Sequence, residues 1–264
     1  MTKRVVRRKK LIENDEKPAA KEKFLEVARE ENLYAQKQSI PKFEAATNNQ
    51  KKALAMFRDG RSVIFLTGAA GTGKSILAAF HAATQLRQKL VNKLYLVRPA
   101  VAVGKSIGLL PGEIADKMAP YFAQTINHLE KFMGHGYMQY CLEKGIIEMK
   151  PAEYMRGMSF ENCVVVCEES QNFTREDFEM TLTRLGKGCT LILTGDTKQH
   201  DLKGESGLSQ TITLIKKTQS EQPAYMNDED LEQMDSNIGI VEFTMDDVVR
   251  SGITKSFVKM YHHN

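Results

Sequence analysis

The feature that most constrains this chain is a short apolar run followed at once by a glycine-rich loop and then by a helical pattern. Residues 62–67, SVIFLT, have the length and the β-branched content of a buried strand. Residues 68–75, GAAGTGKS, match the phosphate-binding loop (P-loop) pattern, in which two glycines enclose four residues and Lys and Ser follow. Residues 76–83 then repeat apolar side chains at helical spacing. This order predicts a nucleotide site, with a glycine-rich turn that binds nothing as the alternative.

Each residue type in this loop has a chemical reason. Glycines let backbone N–H groups turn towards phosphate oxygens, and the following helix points its positive N-terminus at the same anion. The Lys74 ammonium can reach the β- and γ-phosphates of ATP, and the Ser75 hydroxyl can complete a Mg²⁺ shell. The predicted nucleotide-binding residues of the loop are Gly68, Ala69, Ala70, Gly71, Thr72, Gly73, Lys74 and Ser75.

Composition excludes several other classes of protein. A chain of 264 residues with 42% apolar and 27% charged residues suits one α/β domain with at most a small appendage. No segment approaches the roughly 18 apolar residues of a membrane helix, so we expect no membrane association. The four cysteines form no CxxC pair and the histidines have no metal-ligand spacing, which favours reduced thiols and a cytoplasmic location. A net charge of +4 permits nucleic acid as a partner without arguing for it.

The chain divides into a charged N-terminal part, residues 1–45, and a predicted ATPase domain, residues 46–264. The basic run at 3–10, KRVVRRKK, is either a solvated arm or a tail that contacts phosphates. Residues 19–38 place apolar side chains near helical spacing and predict a surface helix. Residues 219–237 are acidic and poor in apolar side chains, which predicts a mobile loop.

Further apolar runs of strand length alternate with helical patterns after the loop. They lie at 93–97, 146–149, 162–167, 190–194 and 240–243. Strands that alternate with helices predict an α/β fold with a mainly parallel sheet covered by helices on both faces.

Two of these strands end in polar residues suited to phosphate chemistry. The strand at 163–167 delivers Glu168 and Glu169 at its carboxyl end, where ligands bind in open α/β sheets. We predict that Glu168 holds Mg²⁺ through water and that Glu169 polarises the attacking water, with simple solvation of the strand end as the alternative. A third strand leads into GDTKQ, where Gln199 can contact the γ-phosphate or the water.

With these motifs in this order, the chain resembles the PhoH family of P-loop ATPases from about Asn49 to its end. The resemblance implies a RecA-like core similar to the first ATPase domain of superfamily 1 helicases, with ATP, Mg²⁺, a link to RNA and assembly as rings. It also implies that Gln50 reads the adenine or braces the loop. The family usually has Asp where this chain has Glu168. The extra methylene of Glu168 moves the carboxylate on the metal side. The matching segments are 49–50, 68–75, 97–101, 108–113, 116–117, 120–121, 148, 151, 154–157, 169–172, 182–186, 194–196, 199–202, 206–208 and 247–250.

Phosphoryl transfer also benefits from an arginine that neutralises charge in the transition state, worth roughly 10³–10⁵ in rate. A chain with one ATPase domain has no second domain to supply it, so we expect a neighbouring subunit to do so. The candidates are Arg156, Arg184 and Arg250, each of which can alternatively form a surface ion pair. Arg98 and Lys105 follow the second strand and are predicted to contact a nucleic-acid backbone, with packing of Arg98 under the sheet edge as the alternative.

The sequence therefore predicts a Mg²⁺-dependent ATPase coupled to single-stranded nucleic acid, RNA before DNA, in a homo-oligomer for which a hexameric ring is one arrangement. One alternative is a nucleotide-dependent binding or assembly switch that does not translocate. A P-loop kinase is a second alternative, although no arginine-rich lid is apparent in the sequence.

Overall fold

The computed structural model describes residues 40–99, 114–199, 205–250 and 252–262, with the side chains of 114–117, 259, 261 and 262 left aside. The predicted arm at 3–10, the predicted helix at 19–38 and Lys105 lie outside the described residues. The strands are β1 (Val63–Gly68), β2 (Lys93–Arg98), β3 (Ile147–Pro151), β4 (Cys163–Cys167), β5 (Thr190–Gly195) and β6 (Ile238–Phe243). The α-helices are α1 (Asn48–Arg58), α2 (Lys74–Arg87), α3 (Ile114–Met133), α4 (His135–Glu143), α5 (Arg175–Leu182), α6 (Gly207–Glu221), α7 (Asp228–Asn237) and α8 (Gly252–His262). Short 3₁₀ turns lie at Ala152–Met155, Ser170–Asn172 and Met245–Asp247.

The six strands form one parallel sheet in the order β3-β2-β4-β5-β1-β6. In the register of the central strands, Phe65 of β1 lies beside Leu193 of β5 and Ile240 of β6. Parallel neighbours require a crossover between them, and helices supply most of these connections. The predicted α/β, RecA-like fold with a parallel sheet is confirmed.

Helices cover both faces of this sheet, because successive side chains along a buried strand point to opposite sides. Ile64 and Leu66 belong to a core formed with α1, α2, α3 and α4. Val63 and Phe65 belong to a second core formed with α5 and α6. The central strands β1, β4 and β5 are therefore largely continuous apolar runs, as a sheet covered on both faces requires.

The strand order decides which polar residues meet. All strands run in the same direction, so their carboxyl ends lie along one edge of the sheet. In that order β5 lies between β1 and β4, and Thr67 at the end of β1 pairs with Gly195 at the end of β5. The loop that follows β1 and the acidic residues that follow β4 and β5 are thereby brought to one place.

The prediction of a mobile loop at 219–237 is wrong. Helix α6 continues to Glu221, and helix α7 occupies Asp228–Asn237. Asn227 caps α7 in a reciprocal capping box with Asp230, and Leu231 is buried. Acidic residues in the first turn of a helix stabilise it by interacting with its positive N-terminal end, so this acidic run favours a helix once it is capped.

Among the described residues, no helix combines the length and the apolar character that crossing a membrane requires.

Candidate functional site

The P-loop connects the end of β1 to the start of α2 and turns through three glycines with positive φ, Gly68, Gly71 and Gly73. Gly73 has a φ of +94°, and a Cβ atom at this position would lie 2.8 Å from the Nε2 atom of Gln50. Thr72 closes the loop internally, because its hydroxyl donates to the carbonyl of Ala69 at 3.0 Å. Helix α2 begins at Lys74, so its free N–H groups face the inside of the loop.

Gln50 braces this loop, which is one of its two predicted roles. Its Nε2 atom donates to the carbonyl of Thr72 at 3.0 Å, and its Oε1 atom accepts from the backbone N–H of Ala46 at 2.8 Å. The side chain is buried. Both ends of its amide are therefore used by the protein itself.

Lys74 lies over the loop with its ammonium directed at backbone carbonyls. Its Nζ atom donates to Gly68 O at 2.5 Å and to Ala69 O at 2.8 Å. Burial lowers the pKa of Lys74 to about 8, although the negative charges of Asp196 and Glu169 act in the opposite direction. The ammonium is therefore close to its neutralisation point near physiological pH, and the negative charge of a phosphate would favour its charged form.

Glu168 lines the same cleft as the loop and is hydrogen-bonded by two side chains. Its Oε2 atom accepts from Nε and Nη2 of Arg98 at 3.1 and 2.9 Å, and its Oε1 atom accepts from the hydroxyl of Thr125. The Arg98 guanidinium also lies 5.4 Å from the ring centroid of Phe122. Arg98 and Glu168 both line the nucleotide cleft. The contact of Arg98 with nucleic acid and the place of Glu168 at the metal stay predictions.

Glu169 has a different environment from its neighbour. Its backbone φ is +52°, in the left-handed region that non-glycine residues rarely adopt. The Nε2 atom of Gln171 donates to Glu169 Oε2 at 2.6 Å, and Gln171 Oε1 accepts from the N–H of Asp196 at 3.1 Å. Gln171 thereby ties the end of β4 to the end of β5 and orients the Glu169 carboxylate in the cleft.

Mg²⁺ is implied by the P-loop serine, and the residues of the cleft fit such an ion. Ser75, Glu169 and Asp196 line one cleft of about 490 Å³, a volume within the range of small-molecule sites. Asp196 is buried, and its Oδ2 atom has no hydrogen-bond partner in the part of the chain that the structure describes. A hydroxyl and carboxylates are the oxygen ligands that Mg²⁺ prefers. The chemistry that Mg²⁺ supplies in such sites is neutralisation of phosphate charge.

The segment before α8 lies against the P-loop of its own chain. The N–H of Val249 donates to the carbonyl of Gly71 at 3.1 Å, and a Cβ atom at Gly71 would lie 2.9 Å from Cγ of Arg250. Asp247 anchors the segment, because it accepts from Nδ2 of Asn49 at 2.7 Å and from the N–H of Thr244 at 2.8 Å. Arg250 therefore lines the nucleotide cleft of its own chain, whereas from the sequence it was one of three candidates to act in a neighbouring subunit, with a surface ion pair as the alternative.

Two more predicted site residues, Gln199 and Arg184, lie in different parts of the structure. Gln199 lines the cleft with its side chain exposed. Arg184 donates to the carbonyl of Met180 at 3.1 Å, and its own carbonyl accepts from the N–H of Phe160. Because Phe160 precedes β4, Arg184 lies near the amino ends of the strands, opposite the nucleotide cleft.

The cleft also contains residues that were not predicted from the sequence as site residues. Among them are Gln171, Asp196 and His128, which line the same cleft as Lys74. Burial, with the charges of Lys131 and Arg250, lowers the pKa of His128. The position of Asp196 directly after a strand was the available signal, whereas His128 lies on α3 among apolar residues and gives no such signal.

A P-loop on the first strand of a parallel sheet, with carboxylates at the ends of two nearby strands, defines a P-loop NTPase. The chain is more specifically a member of the PhoH family: the family model described as PhoH-like protein matches residues 42–262.

Relatives with curated names support this assignment. Protein PhoH of Escherichia coli strain K12 is 38% identical over 207 residues, which is 77% of this chain and 54% of that protein. A PhoH-like protein of Bacillus subtilis strain 168 is 34% identical over 217 residues, which is 81% of this chain and 62% of that protein. The chain thus spans little more than half the length of these relatives.

Solved structures of other proteins resemble the chain only distantly. The large terminase of a thermophilic bacteriophage matches with a TM-score of 0.42 and 12% identity over 85% of this chain and 50% of that chain. The Pif1 helicase of Candida albicans matches with a TM-score of 0.37 and 14% identity over 83% of this chain and 44% of that chain. Likenesses at these scores carry no conclusion about the function of this chain.

Proposed function

We propose that residues 46–264 form a Mg²⁺-dependent ATPase whose turnover is coupled to single-stranded nucleic acid, RNA before DNA. The observation that carries the proposal is that the P-loop, Glu169 and Gln199 line one cleft. The P-loop residues Gly68 to Ser75 hold the phosphates of ATP, and Ser75 contributes to the metal shell. An acid, an amide and a phosphate cradle around one cleft suit transfer of a phosphoryl group to water.

Glu169 is the base of this reaction. Gln171 fixes its carboxylate by a 2.6 Å hydrogen bond, and a fixed carboxylate beside the phosphate site is suited to take a proton from an attacking water. Gln199 lies in the same cleft, where it contacts the γ-phosphate or the water. A kinase would need a phosphate acceptor in the place of this water.

Two arginines have separate roles in the proposal. Arg250 lies against Gly71 and acts on the phosphates of its own chain. Arg184 lies at the opposite edge of the sheet, near the amino ends of the strands. It can therefore act on a nucleotide only in the next subunit of a homo-oligomer, for which we propose a ring. An arginine at the transition state is worth roughly 10³–10⁵ in rate, which makes its source a test of assembly.

The link to RNA rests on the resemblance to the PhoH family and to superfamily 1 helicases, with which a net charge of +4 is compatible. We propose a cytoplasmic location because the four cysteines are all buried and free of disulfides, as in reducing compartments.

The experiment is steady-state ATP hydrolysis by the full chain with and without single-stranded RNA and single-stranded DNA. Wild-type turnover should rise with RNA more than with DNA. Glu169→Gln should lower turnover by about 10²–10⁴-fold, because it removes the general base, while nucleotide binding persists. Glu143→Gln is the matched control, since Glu143 is an exposed residue at the end of α4.

Wild-type turnover in the Glu169→Gln variant would refute the assignment of the base. Turnover that ignores both nucleic acids would refute the coupling and favour the second candidate, a nucleotide-dependent binding switch. One observation favours that candidate: the segment bonded to Gly71 leads directly into α8, whose Ile253, Phe257 and Met260 are exposed. A nucleotide that moves this segment would move an exposed apolar helix.

A further inference from the structure

Helix α3 presents a polar side to the nucleotide cleft. His128 lies three residues after Thr125 and four after Gln124, so the three side chains share one side of the helix. Gln124 and His128 line the cleft, and the hydroxyl of Thr125 donates to Glu168, which lines it too. Leu129, the next residue, is fully buried in the core. The neighbours of His128 on the helix thus hold it at the wall of the cleft.

The two ring nitrogens of His128 have different environments. Its Nδ1 atom is buried without a hydrogen-bond partner among the described residues, and Nε2 is not buried in this way. Burial, with the charges of Lys131 and Arg250, lowers the pKa of His128, so the ring is neutral at pH 7. A neutral imidazole carries one N–H, and a buried N–H without an acceptor is costly. The proton therefore belongs on Nε2, and the ring offers a donor to the cleft.

Arg250 reaches the same cleft from the P-loop. Its Cγ atom would lie 2.9 Å from a Cβ atom at Gly71, and it lines the cleft together with His128. Among the described residues, no carboxylate forms an ion pair with Arg250. A neutral donor on α3 and an unpaired guanidinium over the loop suit an anionic ligand between them.

The terminal phosphate of ATP is the anion that fits this place. In a P-loop the backbone N–H groups cradle the inner phosphates. The terminal phosphate extends beyond them, towards the groups that act on it. Glu169 and Gln199, which have these roles in the proposed function, line the cleft with His128 and Arg250. ADP has no phosphate at this position.

We propose that the Nε2–H group of His128 donates a hydrogen bond to the terminal phosphate of bound ATP, beside the guanidinium of Arg250. His128 is thereby a specificity-determining residue that favours ATP over ADP. Position 128 lies outside the segments that match the motifs of the PhoH family, so the resemblance gives it no role. The inference rests on the proposed function, since it concerns the nucleotide of the same site.

The test is equilibrium binding of ADP and of a non-hydrolysable ATP analogue to the full chain at pH 7.5 with Mg²⁺. His128→Ala should weaken binding of the ATP analogue by about 10–100-fold, the loss expected for one hydrogen bond to a charged group, and should leave ADP binding unchanged. His128→Gln should retain most of the wild-type preference, because its amide nitrogen can take the place of Nε2. His128→Asn is too short to do so and should behave like His128→Ala.

His135→Ala is the matched control, since His135 is an exposed histidine on α4 that contacts only Glu130 among the described residues. It should bind both nucleotides as wild type does.

An unchanged ratio of the two affinities in His128→Ala would overturn the proposal, and so would an equal loss for both nucleotides, which a merely structural role would give. Failure of His128→Gln to restore the ratio, or rescue by His128→Asn, would overturn the assignment to Nε2. If His128→Ala does not fold, the comparison of the glutamine and asparagine variants carries the test. A wild type that binds neither nucleotide would overturn the proposed function itself.

Discussion

The lowered pKa of Lys74 predicts that nucleotide affinity depends on pH in a range where an ordinary lysine would not titrate. Burial brings this pKa from 10.5 to about 8, and a phosphate ligand needs the charged form. The complex holds the proton more tightly than the free protein. Affinity is therefore constant below the pKa of the free protein and falls as the pH rises above it.

The expected magnitude follows from the fraction of charged Lys74. With a pKa of about 8, roughly three quarters of the ammonium is charged at pH 7.5 and about 3% at pH 9.5. If only the charged form binds phosphate, affinity falls about 25-fold over this range. A lysine with a pKa of 10.5 would lose only about a tenth of its charge over the same range.

The assay is equilibrium binding of ADP from pH 7.5 to 9.5 at constant ionic strength. The terminal phosphate of ADP is already ionised there, since such phosphates lose their last proton near pH 6. Lys74→Arg is the matched control, because a guanidinium remains charged throughout and should give a flat profile whatever its affinity. A wild-type affinity that stays flat to pH 9.5 would refute the argument that burial lowers this pKa.

Two further predictions concern stability. His81 is buried against the Phe57 ring at 4.4 Å, and burial lowers its pKa to about 4, below the unfolded value of 6.5. The neutral form is therefore the folded form, so wild type should lose about 2 kcal/mol in the free energy of unfolding as the pH falls from 7.5 to 5. Urea unfolding at pH 7.5 and at pH 5 measures this drop in the free energy of unfolding. The drop should be about 2 kcal/mol smaller in His81→Leu than in wild type, and an equal drop in the two proteins would contradict the argument. Asn227→Ala should cost about 1 kcal/mol in urea unfolding at pH 7.5, because it removes the cap of α7, whereas Asn227→Asp should retain stability. An alanine variant as stable as wild type would mean that the cap does not stabilise α7.

The local pattern of the sequence was sufficient wherever neighbouring residues decide the structure. The apolar run at 62–67 and the glycines that follow it predicted β1, the P-loop and α2, because strand, turn and helix propensities act within a few residues. The same reasoning failed at 219–237. There the low apolar content suggested a loop, but the Asn227 cap and the single buried residue Leu231 are enough to hold a helix.

The roles of the charged residues depended on contacts between distant parts of the chain. Arg98 and Glu168 are 70 residues apart in sequence, and their ion pair changes the interpretation of both. Arg250 follows the last strand by several residues, yet it lies over Gly71. A local sequence pattern spans only a few residues, so it cannot predict contacts between residues this far apart in the chain.

By itself, the sequence determined that this chain has a P-loop on a parallel sheet with carboxylates at the ends of two later strands. Only the tertiary structure decided which carboxylate lies next to the loop, because the strand order β4-β5-β1 differs from the order of the strands in the chain. In that order Asp196 follows the strand next to β1, and Glu168 forms an ion pair with Arg98 of β2. The physical reason is that strand pairing is fixed by long-range packing of two apolar cores, whereas a motif is fixed by its own residues.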